Sequence, residues 1–175
     1  MVRKAQGFAL IDLLFVCGII GVLSGVALPK LLSAKQAAGA ASAIGAMRAI
    51  NSAELTYAIT CGNGFYAPNL TTLGTPPPGS QEPFISPNMS GSDVVTRSGY
   101  TIQLTAEPYA GSPGTCNGLD PDAAGQGFRA GADPTQPTNV RFFATNATNM
   151  IYEDIVTLFA SMPEIGEPGS GHPLR

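Results

Sequence analysis

The distribution of apolar and polar positions divides the chain into an apolar stretch, an amphipathic stretch and a polar remainder. From Phe8 to Leu28 nearly every side chain is apolar, and Asp12 is the only one that is charged at neutral pH. As a helix this stretch would be about 30 Å long, which matches the hydrocarbon thickness of a membrane. A carboxylate at the centre of a membrane costs about 2.5–3.5 kcal/mol. The presence of Asp12 therefore indicates a specific partner for its charge.

The pattern from Lys30 to Thr60 predicts that the helix continues beyond the apolar stretch. Alanine dominates this segment, and larger apolar residues recur at helical spacing. The apolar positions that are predicted to share one side are Ile44, Met47, Leu55 and Ile59. The polar positions that are predicted to fall largely elsewhere are Lys35, Gln36, Arg48, Asn51 and Glu54. Glycines at positions 62 and 64 predict that the helix ends after Thr60.

Beyond the helix, short alternating segments predict a small antiparallel sheet. The most regular alternation lies in Ser98–Ala106, where Tyr100 and Leu104 share one face of a strand with Ile102. The other predicted segments are strands at Gly127–Ala132, Asn139–Asn146 and Met150–Ile155, a short helix or strand at Val156–Met162, a short packed segment at Asn69–Gly74, an irregular connection at Thr75–Ser92 and a Gly/Pro tail. Together they predict an α+β fold in which a long N-terminal helix packs on a small antiparallel sheet.

Small residues recur within the apolar stretch and predict close contact with another helix. Gly18, Gly21 and Gly25 are spaced by three and four residues, so they lie roughly on one helix face. Pro29 has no backbone N–H and leaves the carbonyl of Gly25 without its helical partner. We expect the helix to bend or loosen there.

Composition and charge restrict the classes of partner. Of the 175 residues, 12% are charged and 44% are hydrophobic, and the formal net charge is −3. Beyond Arg3 and Lys4 the chain has no cluster of basic residues, so no nucleic-acid interface is predicted. The segment after the helix is rich in Gly, Pro, Ser, Thr and Asn, which is typical of a small module with many loops.

The three cysteines separate into one apolar and two polar positions. Cys17 lies inside the apolar stretch, where a free thiol behaves as a small hydrophobic side chain. Cys61 and Cys116 lie in the polar part and are expected to form a disulfide in an oxidising compartment. Two unrelated buried thiols are the alternative. A zinc site is not predicted, because His172 is the only histidine.

The residues that catalysis requires are scarce. With one histidine in a Gly/Pro tail, neither a Ser-His-Asp nor a Cys-His arrangement is predicted, and no glycine-rich phosphate loop is present. We therefore expect neither an enzyme nor a bound cofactor or metal. Asp120, Asp122 and Asp133 are interpreted as solvated loop residues, since their spacing lacks the ligand series of a calcium loop. The Asn-x-Ser/Thr triplets, which are weak indications of glycosylation, begin at Asn69, Asn88 and Asn146.

The first 60 residues resemble the precursors of type IV pilins and of type II secretion pseudopilins. These precursors have a short basic leader that ends in Gly, then Phe, a hydrophobic stretch with Glu at its fifth position, and Pro near its end. Gly7, Phe8 and Pro29 match this pattern as they stand. The fifth residue counted from Phe8 is Asp12, where the family usually has Glu.

The resemblance implies a processing step and a division of the chain. A prepilin peptidase would cleave after Gly7, and Phe8 would become the new amino terminus, which in the family is usually methylated. The implied parts are a leader at residues 1–7, a transmembrane and assembly helix at 8–28, its amphipathic continuation at 29–60, and an extracytoplasmic globular part at 61–175 with an antiparallel sheet and a flexible C-terminal tail. In the family the acid at the fifth position pairs with the ammonium group of a neighbouring subunit, a role that falls on Asp12 here.

The function that the resemblance implies is that of a structural subunit of a type IV pilus or pilus-like filament. Its expected partners are copies of itself, the peptidase and methylase, and an assembly platform in the bacterial inner membrane. The precursor would wait in that membrane as a single-pass protein, and the product would be an extracellular or periplasmic filament. Two alternatives stay open: a type II secretion pseudopilin and a membrane-tethered binding module.

Three other interpretations of the N-terminal segment explain less of its pattern. A secretory signal peptide could be cleaved near Gly25 and Ala27, but such peptides have a shorter apolar core without an acid. A lipoprotein signal would use Cys17, which lies too deep in the apolar stretch and follows the bulky Val16. A plain membrane anchor explains the length of the stretch but neither the Gly7–Phe8 pair nor the acid.

Overall fold

The computed structural model describes residues 10–174 of the chain. Helix α1 spans Leu10–Thr60, and helical residues continue on both sides of Pro29. The chain divides into two compact units at Ala37, inside α1. The described part of the first unit is helix alone. The second unit contains the rest of α1 and all the strands, and we refer to it as the head.

The head contains a six-stranded antiparallel sheet whose strands are neighbours in the order in which they occur in the chain. The strands are β1 (Val94–Arg97), β2 (Tyr100–Thr105), β3 (Arg129–Pro134), β4 (Phe142–Asn146), β5 (Ile151–Asp154) and β6 (His172–Pro173). A one-turn helix α2 (Leu70–Leu73) and a 3₁₀ turn at Pro87–Met89 lie between α1 and the sheet in the sequence. The α+β prediction is therefore confirmed, since one long helix packs on a small antiparallel sheet.

The main hydrophobic core lies between α1 and one face of the sheet. The helix contributes Met47, Ile50 and Tyr57, which are fully buried. Across the core, Tyr100 of β2 and Phe143 of β4 pack with their ring centroids 5.8 Å apart. Because successive residues of a strand point to opposite faces, the alternation in β2 directs its apolar side chains toward this core.

A second, smaller core covers the opposite face of the sheet. Leu158 and Met162, from the segment after β5, are buried there with Ala144 and Tyr152. The sequence predicted a short helix or strand at Val156–Met162, and that prediction is wrong, because the segment consists of turns and bends. Small satellite cores of this kind occur beneath loops, and they need no regular element to supply their apolar side chains.

The strand β1 was missed by the sequence pattern, and the next strand was begun two residues early. Ser98 and Gly99 have positive φ angles of 51° and 82° and form the two-residue turn between β1 and β2. Two consecutive left-handed residues are typical of the tight hairpin turn that matches strand twist. Glycine supplies one of these positions readily, whereas serine adopts it rarely, so the pair is a weak signal in the sequence.

The buried face of α1 differs from the predicted one at several positions. Leu55 and Ile59 are exposed, at 47% and 73%, whereas Asn51 and Glu54 are buried. Each step of four residues advances about 40° beyond a full helical turn, so consecutive four-residue steps drift away from the core. The polar side chains are tolerated inside because they reach hydrogen-bond partners in the head.

Candidate assembly site

The predicted processing site lies outside the described residues. Gly7 and Phe8 both precede Leu10, where the described part of the chain begins. Cleavage after Gly7 and methylation of Phe8 therefore stay predictions from the sequence.

The apolar stretch of α1 is exposed, with no described residue covering it. The most apolar 18-residue window has a mean hydropathy of 2.4, and none of it is buried. Large side chains such as Phe15 and Leu23 are 70% and 63% exposed. Soluble proteins rarely leave a contiguous apolar surface of more than a few hundred Å² in water, because its hydration is unfavourable. By length and composition this helix can cross a membrane, and it is the one helix of the described chain that can.

Asp12 is the single charged side chain in this apolar surface. It lies in the first turn of the described helix, where a negative charge interacts favourably with the helix dipole. Asp12 is exposed, and no described residue forms a hydrogen bond or an ion pair with it. Any partner for this carboxylate must therefore come from the chain outside residues 10–174, from solvent or from another molecule.

The three glycines of the apolar stretch are open on their outer side. A Cβ atom added to Gly18, Gly21 or Gly25 would meet nothing within 4 Å among the described residues. Next to the first of them is a shallow groove lined by Leu14, Phe15, Gly18, Ile19, Val22 and Leu23. No described contact within the chain requires glycine at these positions, whereas close approach of a second helix would use them.

The half of α1 that belongs to the head has one buried face and one bare face. The bare face carries small side chains at Ala41, Gly45, Ala49 and Ser52. It continues into the exposed Leu55 and Ile59. This face therefore offers a narrow, mostly uncharged surface, interrupted by the exposed Arg48.

The disulfide predicted between Cys61 and Cys116 is present, and it ties the end of α1 to the loop before β3. The two Cα atoms are 4.9 Å apart, and the backbone N–H of Cys116 donates to the carbonyl of Cys61 at 3.1 Å. The bond closes a loop of 55 residues, which stabilises the fold by about 4 kcal/mol on the chain-entropy account. Cys17 is a free and exposed cysteine.

Asn117, directly after the disulfide, connects three segments of the head. Its amide nitrogen donates to the carbonyls of Thr72 and Thr75, at 3.0 and 3.2 Å. Its oxygen accepts from the hydroxyls of Thr115 and Tyr57, at 2.7 and 3.4 Å. The end of α1, the segment around α2 and the disulfide loop are therefore joined by polar contacts as well as by the covalent bond.

Glu54 is the residue that sequence reasoning placed wrongly and that matters most for the chemistry of the head. It is fully buried, and its Oε2 accepts a hydrogen bond from the backbone N–H of Ala67 at 2.9 Å. Its Oε1 is buried without a hydrogen-bond partner among the described residues. Burial raises the pKa of this carboxyl well above its usual range, and the bond from Ala67 opposes that rise. A weak signal was present, because Glu54 follows Asn51 and precedes Tyr57 at three-residue steps.

The acidic residues that were considered for calcium do not come together. The Oδ1 of Asp122 accepts from the backbone N–H of Gly111, while Asp133 lies on β3 and accepts from Thr157. Within residues 10–174 no group of three His, Cys, Asp or Glu side chains could hold a metal ion.

The asparagines of the three glycosylation triplets have different surroundings. Asn146 is fully buried, and its amide donates to the carbonyls of Pro163 and Gly166, at 2.8 and 2.7 Å. Asn69 caps α2 by accepting from the N–H of Thr72 at 2.9 Å. Asn88 is the exposed one of the three. Glycosylation at Asn146 would require the head to open.

Comparison of the chain with family models, with curated proteins and with solved structures finds no match.

Proposed function

We propose that this chain is a structural subunit of a type IV pilus or pilus-like filament. The observation that carries the proposal is the exposed apolar part of α1, which continues directly into the part of the same helix that is packed on the sheet. A simple anchor needs the first half only. A filament subunit needs both, because the helix must hold its own head and also offer a surface to its neighbours.

In this proposal the helix is used twice. Before assembly, residues 8–28 lie in the inner membrane, with the basic residues of the leader on the cytoplasmic side. After cleavage by the peptidase behind Gly7, the same residues move into a bundle of identical helices. The transfer changes apolar burial little, because lipid and filament core are similarly apolar. Packing at the open glycines and pairing of charges must therefore direct assembly, and the assembly platform supplies the work of extraction.

Asp12 has a defined task in this scheme. Cleavage creates an ammonium group at Phe8, and Asp12 of a neighbouring copy would neutralise it within the apolar bundle. The carboxylate has no partner among the described residues of its own chain, which leaves it available. Contacts of this head-to-tail kind do not close on themselves and give an open helical polymer.

The role proposed is structural, without a catalytic centre, a cofactor or a metal. The only histidine of the chain, His172, is exposed on the two-residue strand β6. Two ion pairs lie within the head, one between Arg129 and Glu107 and the other between Arg141 and Glu153.

The decisive experiment is terminal sequencing by mass spectrometry of the chain in its native membrane and in sheared surface filaments. A mature chain that starts at Phe8, recovered as the main component of the filaments, is the expected result. A chain that starts at Met1 or Leu28 would overturn the proposal. A chain that starts at Phe8 but occurs only in a short periplasmic assembly of a secretion system would identify a pseudopilin instead. If it stays in the membrane unpolymerised, it is a tethered module.

A further inference from the structure

The carboxyl group of Glu54 lies where the helix meets the segment that returns from the disulfide. Glu54 is two turns before the end of α1, and Ala67, to which it is bonded, is fully buried six residues after Cys61. Ala67 follows Glu54 by 13 positions in the sequence, and one side-chain hydrogen bond joins the two ends of this stretch.

Among residues 10–174, burial and the N–H of Ala67 are the influences on this carboxyl, and no positively charged side chain acts on it. The two ion pairs of the described head join other residues, namely Arg129 to Glu107 and Arg141 to Glu153. The titratable neighbour that interacts with Glu54 through space is Tyr57 on the same helix, and a negative Glu54 raises the pKa of that phenol. Around Ala67, the returning segment contributes a backbone N–H, which stabilises the carboxylate only in part.

A buried carboxylate without a counter-ion is expensive, whereas a buried carboxylic acid is not. One oxygen of Glu54 is satisfied by Ala67 and the other has no partner among the described residues. A proton on the second oxygen removes the charge and leaves the bond from Ala67 in place. The geometry therefore favours the protonated side chain.

We propose that Glu54 is a protonated clamp that holds the returning segment on α1, and that the head loosens as rising pH removes the proton. The inference concerns the head alone and does not depend on filament formation. Below the ordinary Glu pKa of about 4.5, the side chain is neutral in the folded and the unfolded chain, and its contribution to stability is complete. That contribution falls as pH rises from there through the higher pKa of the folded state.

The first test compares wild type with Glu54→Gln, using the full chain in detergent micelles and denaturant unfolding over a range of pH. Glutamine keeps an oxygen for the N–H of Ala67 and cannot ionise. We expect the unfolding equilibrium constant of wild type, divided by that of the variant, to rise with pH by up to about tenfold per pH unit within this window. Glu82→Gln makes the same chemical change at an exposed carboxyl and should leave the pH profile unchanged.

The second test needs no variant at Glu54 and decides the matter if that variant does not fold. Infrared spectroscopy of the full chain, with ¹³C-labelled glutamate carboxyls, should show a protonated carboxyl band that persists well above pH 4.5. Burial also raises the pKa of Glu164, so the measurement is repeated in Glu164→Gln. A band that survives this substitution supports the proposal. Identical pH profiles in wild type and Glu54→Gln, or the absence of a surviving band, would overturn it.

Discussion

At the level of single residues, polar side chains on the buried face of α1 determine how the head is attached. Asn51, Glu54 and Tyr57 each reach a different segment: the end of β4 and the turn after it, the segment at Ala67 and the disulfide loop. Such bonds add little net energy compared with water, but each leaves a costly unsatisfied group if one partner is removed. These hydrogen bonds therefore fix the position of the helix along the sheet, because a shift of the helix would break them.

Asn51 provides the clearest test of this attachment. Its oxygen accepts from the hydroxyl of Thr145 at 3.0 Å, and its nitrogen donates to the carbonyl of Asn149 at 3.3 Å. We expect Asn51→Ala to lower the free energy of unfolding by about 1–3 kcal/mol, because the carbonyl of Asn149 loses its partner in a partly buried site. Denaturant unfolding measures the change. Ser52→Ala, at the exposed neighbouring position, should change it by less than about 0.5 kcal/mol.

In the proposed filament, Asp12 is the residue on which polymerisation should depend most. With Asp12→Ala we expect the yield of sheared filaments to fall by about tenfold or more, because an unpaired ammonium group would remain in the apolar bundle. Asp12→Glu keeps the charge on a longer side chain and should retain filaments. The amount of membrane-inserted precursor, measured by immunoblot, should not fall in either variant. Equal filament yields from wild type and Asp12→Ala would refute the pairing.

At the level of elements, the sequence predicts best those strands in which apolar and polar residues alternate regularly. In β2 buried and partly buried side chains alternate because one face of the strand lies on the core, and the sequence therefore predicts this strand. In contrast, β1 has mostly exposed residues, and β6 contains two, so neither could show alternation. The pattern of hydrophobic residues likewise does not predict the buried face of α1. Asn51 and Glu54 lie on that face because they form hydrogen bonds with other segments of the chain.

For the candidate site, the residue pattern indicated the apolar stretch, the open glycines and the pairing of Cys61 with Cys116. It could not indicate the buried Glu54, whose partner is a backbone N–H. Any residue can supply such a group, so no sequence pattern marks it. Such a contact emerges only when the chain has folded.

Two glycines on α1 make a matched pair with opposite expected effects. A Cβ atom at Gly39 would lie 2.7 Å from the carbonyl oxygen of Ser98, so Gly39→Ala should destabilise the head by about 1–3 kcal/mol. A Cβ atom at Gly45 would meet nothing within 4 Å, so Gly45→Ala should stabilise it by up to about 1 kcal/mol through helix propensity. Both are measured by denaturant unfolding of the full chain. Effects of the same sign would contradict the observed packing of the β1–β2 turn against α1.

At the level of the whole molecule, one covalent bond and two cores hold the head together on both sides of the sheet. The main core joins α1 to the sheet, and the smaller one joins the segment after β5 to the opposite face. The disulfide adds a constraint on the unfolded chain, which is of particular value where so much of the sequence is loop.

The contribution of the disulfide to stability can be measured by removing it. Replacing Cys61 and Cys116 together by serine should lower the free energy of unfolding by about 4 kcal/mol, because the unfolded chain regains the entropy of an open loop of 55 residues. Wild type under reducing conditions should match the double variant. Cys17→Ser, which alters the free cysteine, should unfold like wild type with or without reductant. A double variant as stable as wild type would show that the bond contributes nothing.

The smaller core also has a consequence for the order of events during synthesis. The strands β1 to β5 are made before Leu158 and Met162, which cover them, and before His172, which pairs with Glu153 on β5. The side chain of Asn146 likewise cannot form its hydrogen bonds to the carbonyls of Pro163 and Gly166 until those residues have been synthesised. Until those last segments arrive, the outer face of the sheet is open to chaperones, proteases and glycosyl transferases. The outer face of the sheet is therefore protected only after the chain has been synthesised as far as His172.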